Sequence, residues 1–563
     1  MLEELRKLIE KNLFSKTSLL LEVAERAEFG HYTTNVALQV AKSVHKNPRA
    51  VAEELSLKIK ASDADKLLSR IEVAGPGFLN FWFSDEALNR EFQNFGKVSK
   101  IKQGKKPTVV IDYSHPNIAK PMGVHHLRST IIGAALVNIF KFLGWKSIGD
   151  NHLGDWGKQF GILIAAYKEN TKYQIPNTKI KEKNLSIDDL LALYVDYNAR
   201  MKTDSKLEDI ARQEVKKLQD GDRENVRIWK QFYTVSLDEF KKFYKQLNIS
   251  FDYYLGESFY KGMLPGIIAD ATERHIAVKS EGALIIPLEG LPPYVIQKSD
   301  EAFLYSTTDI ATVKYRRDRF KPNLVLYVVA NEQALHFEQL FQAVEKLGYR
   351  GGEQLEHVKF GMVLGEDMKK LSTRAGKTIS LGEVLDEAVS RAKKIVDEKR
   401  KDLSDRERKK IAEVVGIAAV KYNDLSQNRQ SDIAFQWDKM LNFEGNSAPY
   451  LLYSYARMQS ILRKGGKVGR GKFILSSPKD KELFLALVQF REVLHRVEET
   501  FFPNLLTDYL YSLSKQMNAF YETERVLNAP EDIRPGRLLL VKIVSETLKT
   551  GLGLLGIKAL EKM

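Results

Sequence analysis

A chain of 563 residues, 44% hydrophobic and 28% charged, has the composition of a soluble globular protein and is too long for one core, so three or four domains are expected. It has no cysteine, which excludes disulfides and thiolate-ligated zinc; no apolar run approaches a membrane span, and the amphipathic start MLEELRKLIEKNLF lacks the features of a signal peptide, making the cytoplasm the expected compartment. Lys and Arg number 87 against 73 Asp and Glu, a formal charge of +14 that fits either plain solubility or a polyanionic partner.

Residues 1–98 read as a small α+β module. Helical periods in LEELRKLIEKNL, TNVALQVAKSVHKN and PRAVAEELSLKIK precede an apolar strand, GPGFLNFWF. SKIKQGKKPT, 99–108, reads as a basic linker. From 107 to 385 the pattern is that of a parallel sheet. TVVIDYS is a buried strand, LRSTIIGAALVNIFKFLG a crossover helix, and WKSIGDNHLGDWG a strand followed by a loop. GALIIPL, YVIQK, NLVLYVVA and VKFGMVL are further strand candidates, and 171–250 is a charged helical insertion. Beyond about 383 the strands stop. A charged helical connector leads into amphipathic helices, and 386–563 reads as a helical bundle.

Two segments carry chemistry. In NIAKPMGVHHLRST, Asn117, Pro121 and Gly123 keep the chain non-helical, and a helix begins near Val124 or His125. Free N–H groups at that helix start favour an anion, and Lys120 and His126 are placed to reach a phosphate. The alternative is an ordinary strand–helix turn with surface histidines. In GEDMKKLSTRAGKT, 365–378, Lys369, Lys370, Arg374 and Lys377 surround Ser372, Thr373 and Gly376. This reads as a mobile phosphate clamp or as a solvated loop.

Together the two segments resemble the signature pair of class I aminoacyl-tRNA synthetases, a His-x-Gly-His-like turn and a Lys-Met-Ser-Lys-like loop. SHPNIAKPM, HLRSTIIG, NHLGDWGKQFG, LYSTTDIA, NEQALHF, LSTRAG, VAGPGFLNF, KYNDLSQNR, FEGNSAPYLLYSYAR and GLGLLGIKALEKM narrow the resemblance to the arginyl-tRNA synthetases, in order along nearly the whole chain. The resemblance implies ligation of L-arginine to tRNA(Arg) with ATP as substrate and Mg2+ entering with it; the sequence itself leads to the expectation of no zinc and no membrane. The resemblance also implies a monomer with an α/β fold: a Rossmann-type catalytic domain with helical insertions, an N-terminal α+β domain that binds the tRNA D-loop, and a C-terminal all-helical anticodon-binding bundle.

Carried over residue by residue, the resemblance assigns catalysis to Lys120, His126, Lys370, Ser372 and Arg374, and ATP binding to Gly123, His125, His126, Gly154, Asp155 and Lys370. Arginine falls to Asn117, Glu257, Tyr305, Asp309 and Gln333. An always-charged planar guanidinium needs a carboxylate and oriented acceptors. Tyr305 and Asp309, four apart, share a helix face. Read without the resemblance they are a buried tyrosine and a helix-capping acid. For tRNA the positions are Phe78, Asn80, Tyr450, Tyr453, Tyr521 and Met563, against the alternative that aromatic residues in a chain with 23 tyrosines pack a core.

Two departures from the family pattern stand out. Thr373 replaces the second lysine of the loop, with Lys120 available in its stead. At 123–126 the chain reads Gly-Val-His-His, with the outer histidine and the glycine exchanged. Beside an arginine–tRNA ligase this leaves the alternative of a tRNA-binding homologue impaired in catalysis.

Overall fold

The structure, a computed structural model, describes residues 1–14, 17, 19–24, 26–62, 66–95, 107–173, 185–300, 302–365, 379–466, 468 and 473–563. Near the N-terminus β1 (Glu22–Val23), β2 (Tyr32–Thr34), β3 (Leu68–Ala74) and β4 (Phe78–Phe83) form an antiparallel sheet in the order β1-β2-β4-β3. In β4, Leu79, Phe81 and Phe83 point into the core, while Phe78, Asn80 and Trp82 share the other face. Helices Leu2–Asn12, Val36–Val44 and Pro48–Ala61 pack in the same core, and a fourth, Asp85–Phe95, was not anticipated. Most of the expected linker lies outside the described residues.

The central sheet comes from β5 (Thr108–Asp112) and β6 (Lys146–Asp150), with helix His125–Phe142 between them. β7 (Val278–Ser280), β8 (Ala283–Ile286) and β9 (Tyr294–Gln297) form a separate antiparallel sheet; β10 (Leu324–Tyr327) and β11 (Gln354–His357) complete the parallel one, ordered β11-β10-β5-β6. GALIIPL and YVIQK therefore do not belong to the parallel sheet. Only a short turn joins them, and a parallel pair needs a crossover.

VKFGMVL is also not the last sheet strand, which is QLEH just upstream. After His357 the ladder thins to the Val358 N–H donating to the Tyr327 carbonyl and an isolated parallel bridge between Phe360 and Ala330, and the Gly361 N–H donates to the Arg429 carbonyl at 2.9 Å. β12 (Val363–Leu364) then pairs in parallel with β13 (Ile433–Ala434), so strand structure recurs beyond 383 in an otherwise helical C-terminal part.

Helices Ile187–Met201, Ser205–Gln219 and Arg223–Gln246 fill the insertion, each started by a side-chain cap from Ser186, Asp204 or Asp222. The connector is two helices, Leu381–Lys399 and Asp405–Leu425. Each begins with a Ser-x-x-Glu capping box, Ser380 with Glu383 and Ser404 with Glu407, and the second box ends the expected continuous run. Ala448–Gly465, Pro478–Val488, Phe490–Thr500, Asn504–Thr523 and Arg534–Leu554 follow. Among the described residues no helix is long and apolar enough to cross a membrane.

Candidate active site

In the parallel sheet, β5 sits between β6, which follows it, and β10, which comes from far along the chain. The connections leave β5 in opposite directions, and the crevice beyond the strand ends at such a point accepts ligands. Three segments emerge there: the turn after Asp112, the turn after Asp150, and the turn after Tyr327 that leads into helix Ala334–Lys346.

The first turn is strained. Ser114, His115 and Ala119 have φ of 86°, 52° and 64°, a region costly for residues other than glycine. Hydrogen bonds hold it. The Ser114 N–H donates to Ser129 Oγ at 2.8 Å, His115 Nε2 donates to Asp112 Oδ1 at 2.8 Å, and the Ala119 N–H donates to Ser236 Oγ of the insertion at 2.8 Å. Asn117 forms a bridge with Gly154. A Cβ on Gly154 would stand 2.2 Å from Asn117 Oδ1, so the glycine expected at ATP is what makes room for the Asn117 side chain.

Helix His125–Phe142 starts with no side-chain cap, but its entry is closed by backbone bonds: the His126 N–H donates to the Gly123 carbonyl and the Leu127 N–H to the Val124 carbonyl, each at 3.0 Å, so these are not the free donors expected there. His126 Nδ1 lies 3.1 Å from the Gly123 nitrogen and 3.3 Å from its carbonyl oxygen, so the Gly123 backbone holds the ring. Burial, with His125 adding to it, lowers His126 to about 3, so the ring is neutral near pH 7. The exposed His125 ring lies 3.9 Å from it, centroid to centroid. Lys120 places its ammonium 5.0 Å over the ring of Tyr194 from the insertion. Lys370, Ser372 and Arg374 lie outside the described residues. The chain immediately after their loop is described: the Val124 N–H donates to the Ile379 carbonyl at 3.2 Å and the Leu381 N–H to the Met122 carbonyl at 2.8 Å. The two signature segments therefore meet at their bases.

Opposite stands helix Tyr305–Phe320, fixed by a buried cluster. Arg316 pairs with Asp112 at 2.9 Å and with Asp150 at 2.8 Å, joining the helix to the ends of β5 and β6. Tyr305 is 63% exposed and Asp309 lies inside the helix, so neither is the core tyrosine or capping acid of the alternative reading. Asp309 accepts a hydrogen bond from His336 Nε2 at 2.7 Å. Glu257, first in helix Glu257–Tyr260, has its carboxyl pushed up to about 8 by burial, with the charges of Asp155 and Asp309 adding to it. Asp155, expected at ATP, is buried instead, and its two oxygens accept from the Ser258 N–H at 2.8 Å and Oγ at 2.6 Å. It holds the turn that carries Glu257. Glu257 and Asp309 stand near enough for the Asp309 charge to act on the Glu257 carboxyl. Gln333 is exposed in the turn before helix Ala334–Lys346.

The positions expected at tRNA are dispersed. Phe78 is exposed, whereas Asn80 is only 5% exposed on the same face of β4. Tyr450 and Tyr453 lie on helix Ala448–Gly465; Tyr453 is 50% exposed, and the Tyr450 hydroxyl accepts from Asn518 at 2.8 Å. Tyr521 carries the Arg457 guanidinium 4.9 Å over its ring. The Met563 carbonyl accepts from Arg400. The sequence reading missed the Asp112–Arg316–Asp150 cluster and His336. NEQALHF sets His336 three residues after Gln333, but nothing local links it to an aspartate 27 positions earlier.

A parallel sheet with candidate residues gathered at its switch point is a doubly wound α/β arrangement. The family described as tRNA synthetases class I (R), catalytic domain, matches residues 90–437. The arginyl tRNA synthetase N terminal domain matches 2–83, and the DALR anticodon binding domain matches 451–563. Arginine–tRNA ligases of Fusobacterium nucleatum and Chloroflexus aggregans are 43% and 42% identical to the chain, covering 98% and 94% of it and 97% and 93% of their own lengths. The arginyl-tRNA synthetase structure from Thermus thermophilus superposes with a TM-score of 0.84 at 25% identity over 100% of both chains. That from Plasmodium falciparum gives 0.83 at 28% over 99% of this chain and 97% of its own. The chain belongs to the arginyl-tRNA synthetase family.

Proposed function

We infer that the chain ligates arginine to tRNA(Arg) with ATP. The observation that carries this is its full-length likeness to arginine–tRNA ligases, at 43% identity in one case. In the first step the arginine carboxylate attacks the α-phosphorus of ATP, the bond to the bridging oxygen breaks, and pyrophosphate leaves. A hydroxyl of the terminal tRNA ribose then attacks the adenylate carbonyl, and AMP leaves.

Asn117, Glu257, Tyr305, Asp309 and Gln333 hold arginine. The convergence of Glu257 and Asp309 supports this, because a planar guanidinium can satisfy two carboxylates and an ammonium is a single point charge. His126, His125 and the backbone at Gly123 face the ATP phosphates, with Lys120, Lys370, Ser372 and Arg374 meeting charge that develops as pyrophosphate departs. Magnesium enters with ATP, as phosphate chemistry favours. Residues 1–98 contact the D-loop through Phe78 and its surroundings. Residues 107–385, with the insertion at 171–250, are catalytic. Residues 386–563 read the anticodon through Tyr450, Tyr453, Tyr521 and Met563, and helix Leu381–Lys399 runs across the last boundary. The chain acts as a cytoplasmic monomer.

The impaired, tRNA-binding alternative raised by Gly-Val-His-His is not supported, since the likeness to arginine–tRNA ligases extends through the catalytic domain. Exchange of labelled pyrophosphate into ATP tests the inference. Arginine, and not lysine, should drive it, and only when tRNA(Arg) is present; exchange driven equally by lysine would overturn the reading.

A further inference from the structure

We propose that His336 is a positioning residue for arginine recognition: its Nε2–H fixes the Asp309 carboxylate in the orientation that receives the guanidinium. The proposal rests on the reading of Tyr305 and Asp309 as the guanidinium site.

Two helices meet here, with Asp309 in the second turn of Tyr305–Phe320 and His336 in the first turn of Ala334–Lys346. A carboxylate on a helix surface rotates about its terminal torsion, and that freedom must be lost when a planar fork docks on it. In this site it is already lost. His336 Nε2 stands 2.7 Å from Asp309 Oδ2, which leaves Oδ1 for a ligand. The imidazole is itself held. Its ring lies 5.6 Å from Tyr294, 5.4 Å from Phe337 and 5.1 Å from Tyr305, and its side chain is 12% exposed. Tyr305, the exposed partner, is thereby placed by the same ring that orients Asp309. One imidazole sets both walls of the pocket before arginine arrives, which is preorganisation of a specificity element.

The test compares three variants by aminoacylation kinetics, with KM measured separately for arginine and for ATP. His336→Leu keeps the bulk and removes the donor. His336→Gln restores an N–H at the distance of Nε2. Asp309→Asn probes the pocket itself. The expected result is a rise in the arginine KM on the order of tenfold or more for H336L, with the ATP KM unchanged and most of the loss recovered in H336Q. An unchanged arginine KM in H336L beside an impaired D309N would overturn the proposal alone. Wild-type behaviour of D309N would remove the guanidinium site and the proposal with it. Equal losses for arginine and ATP in both His336 variants would make His336 a purely structural residue and overturn the proposal.

Discussion

Glu257 is the residue whose state arginine should change most. Burial, reinforced by Asp155 and Asp309, raises its carboxyl from the ordinary 4.5 to about 8 in the folded, empty protein. For an acid raised on folding, the native state holds the extra proton between those two values. The empty protein is therefore predicted to lose stability as pH rises through that window. A guanidinium pairs with the carboxylate and not with the acid, so arginine must displace the proton. Affinity for arginine should rise between pH 6 and 8 by up to about tenfold per unit, and then level off. Calorimetry in buffers of different ionisation heats should register release of nearly one proton at pH 6.5, lost in Glu257→Gln. Affinity flat across that range would contradict the assignment.

At the scale of elements, the most informative contact joins two helices that are far apart in sequence. Arg128, on the helix that follows Gly-Val-His-His, is fully buried and lies 3.2 Å from Asp424 in helix Asp405–Leu425. It also donates to the carbonyls of Gly361 and Ser431 at 2.8 Å each. A single guanidinium thus ties the signature helix to the C-terminal helices and to the segment leading into the Lys-Leu-Ser-Thr loop. Asp424→Leu leaves that cation buried and unpaired, at a cost of about 3–5 kcal/mol. Urea denaturation should show that loss, and a double variant with Arg128→Met should recover a large part of it; an Asp424→Leu protein as stable as the parent would contradict the role.

The same contacts explain what was legible in the sequence. Gly-Val-His-His and the amphipathic periods are local, and the helices they predict are present. The start of helix His125–Phe142 falls where the turn residues end. Contacts that depend on chain crossing left no local mark. Nothing adjacent to Arg128 in HLRST, to Arg316 among the four charged residues of KYRRD, or to His336 in NEQALHF points to its partner. The strand errors have the same origin. VKFGMVL does contain a strand, β12, but it pairs with β13 from far along the chain rather than extending the parallel sheet. GALIIPL and YVIQK have strand composition that does not say which sheet they join.

Over the whole molecule, a strained turn, the Glu257 and Asp309 side chains and the base of a basic loop gather at a four-stranded parallel sheet, with helices carrying the chain on to Leu554. The central claim is that this assembly, with Gly123 and His125 as they stand, attaches arginine to tRNA. The direct measurement is incorporation of labelled arginine into tRNA(Arg) by the purified full-length chain, with and without ATP. The account predicts ATP-dependent charging by arginine and none by lysine. A chain that binds tRNA(Arg) but leaves it uncharged, and regains charging only when Gly123→His is combined with His125→Gly, would contradict it.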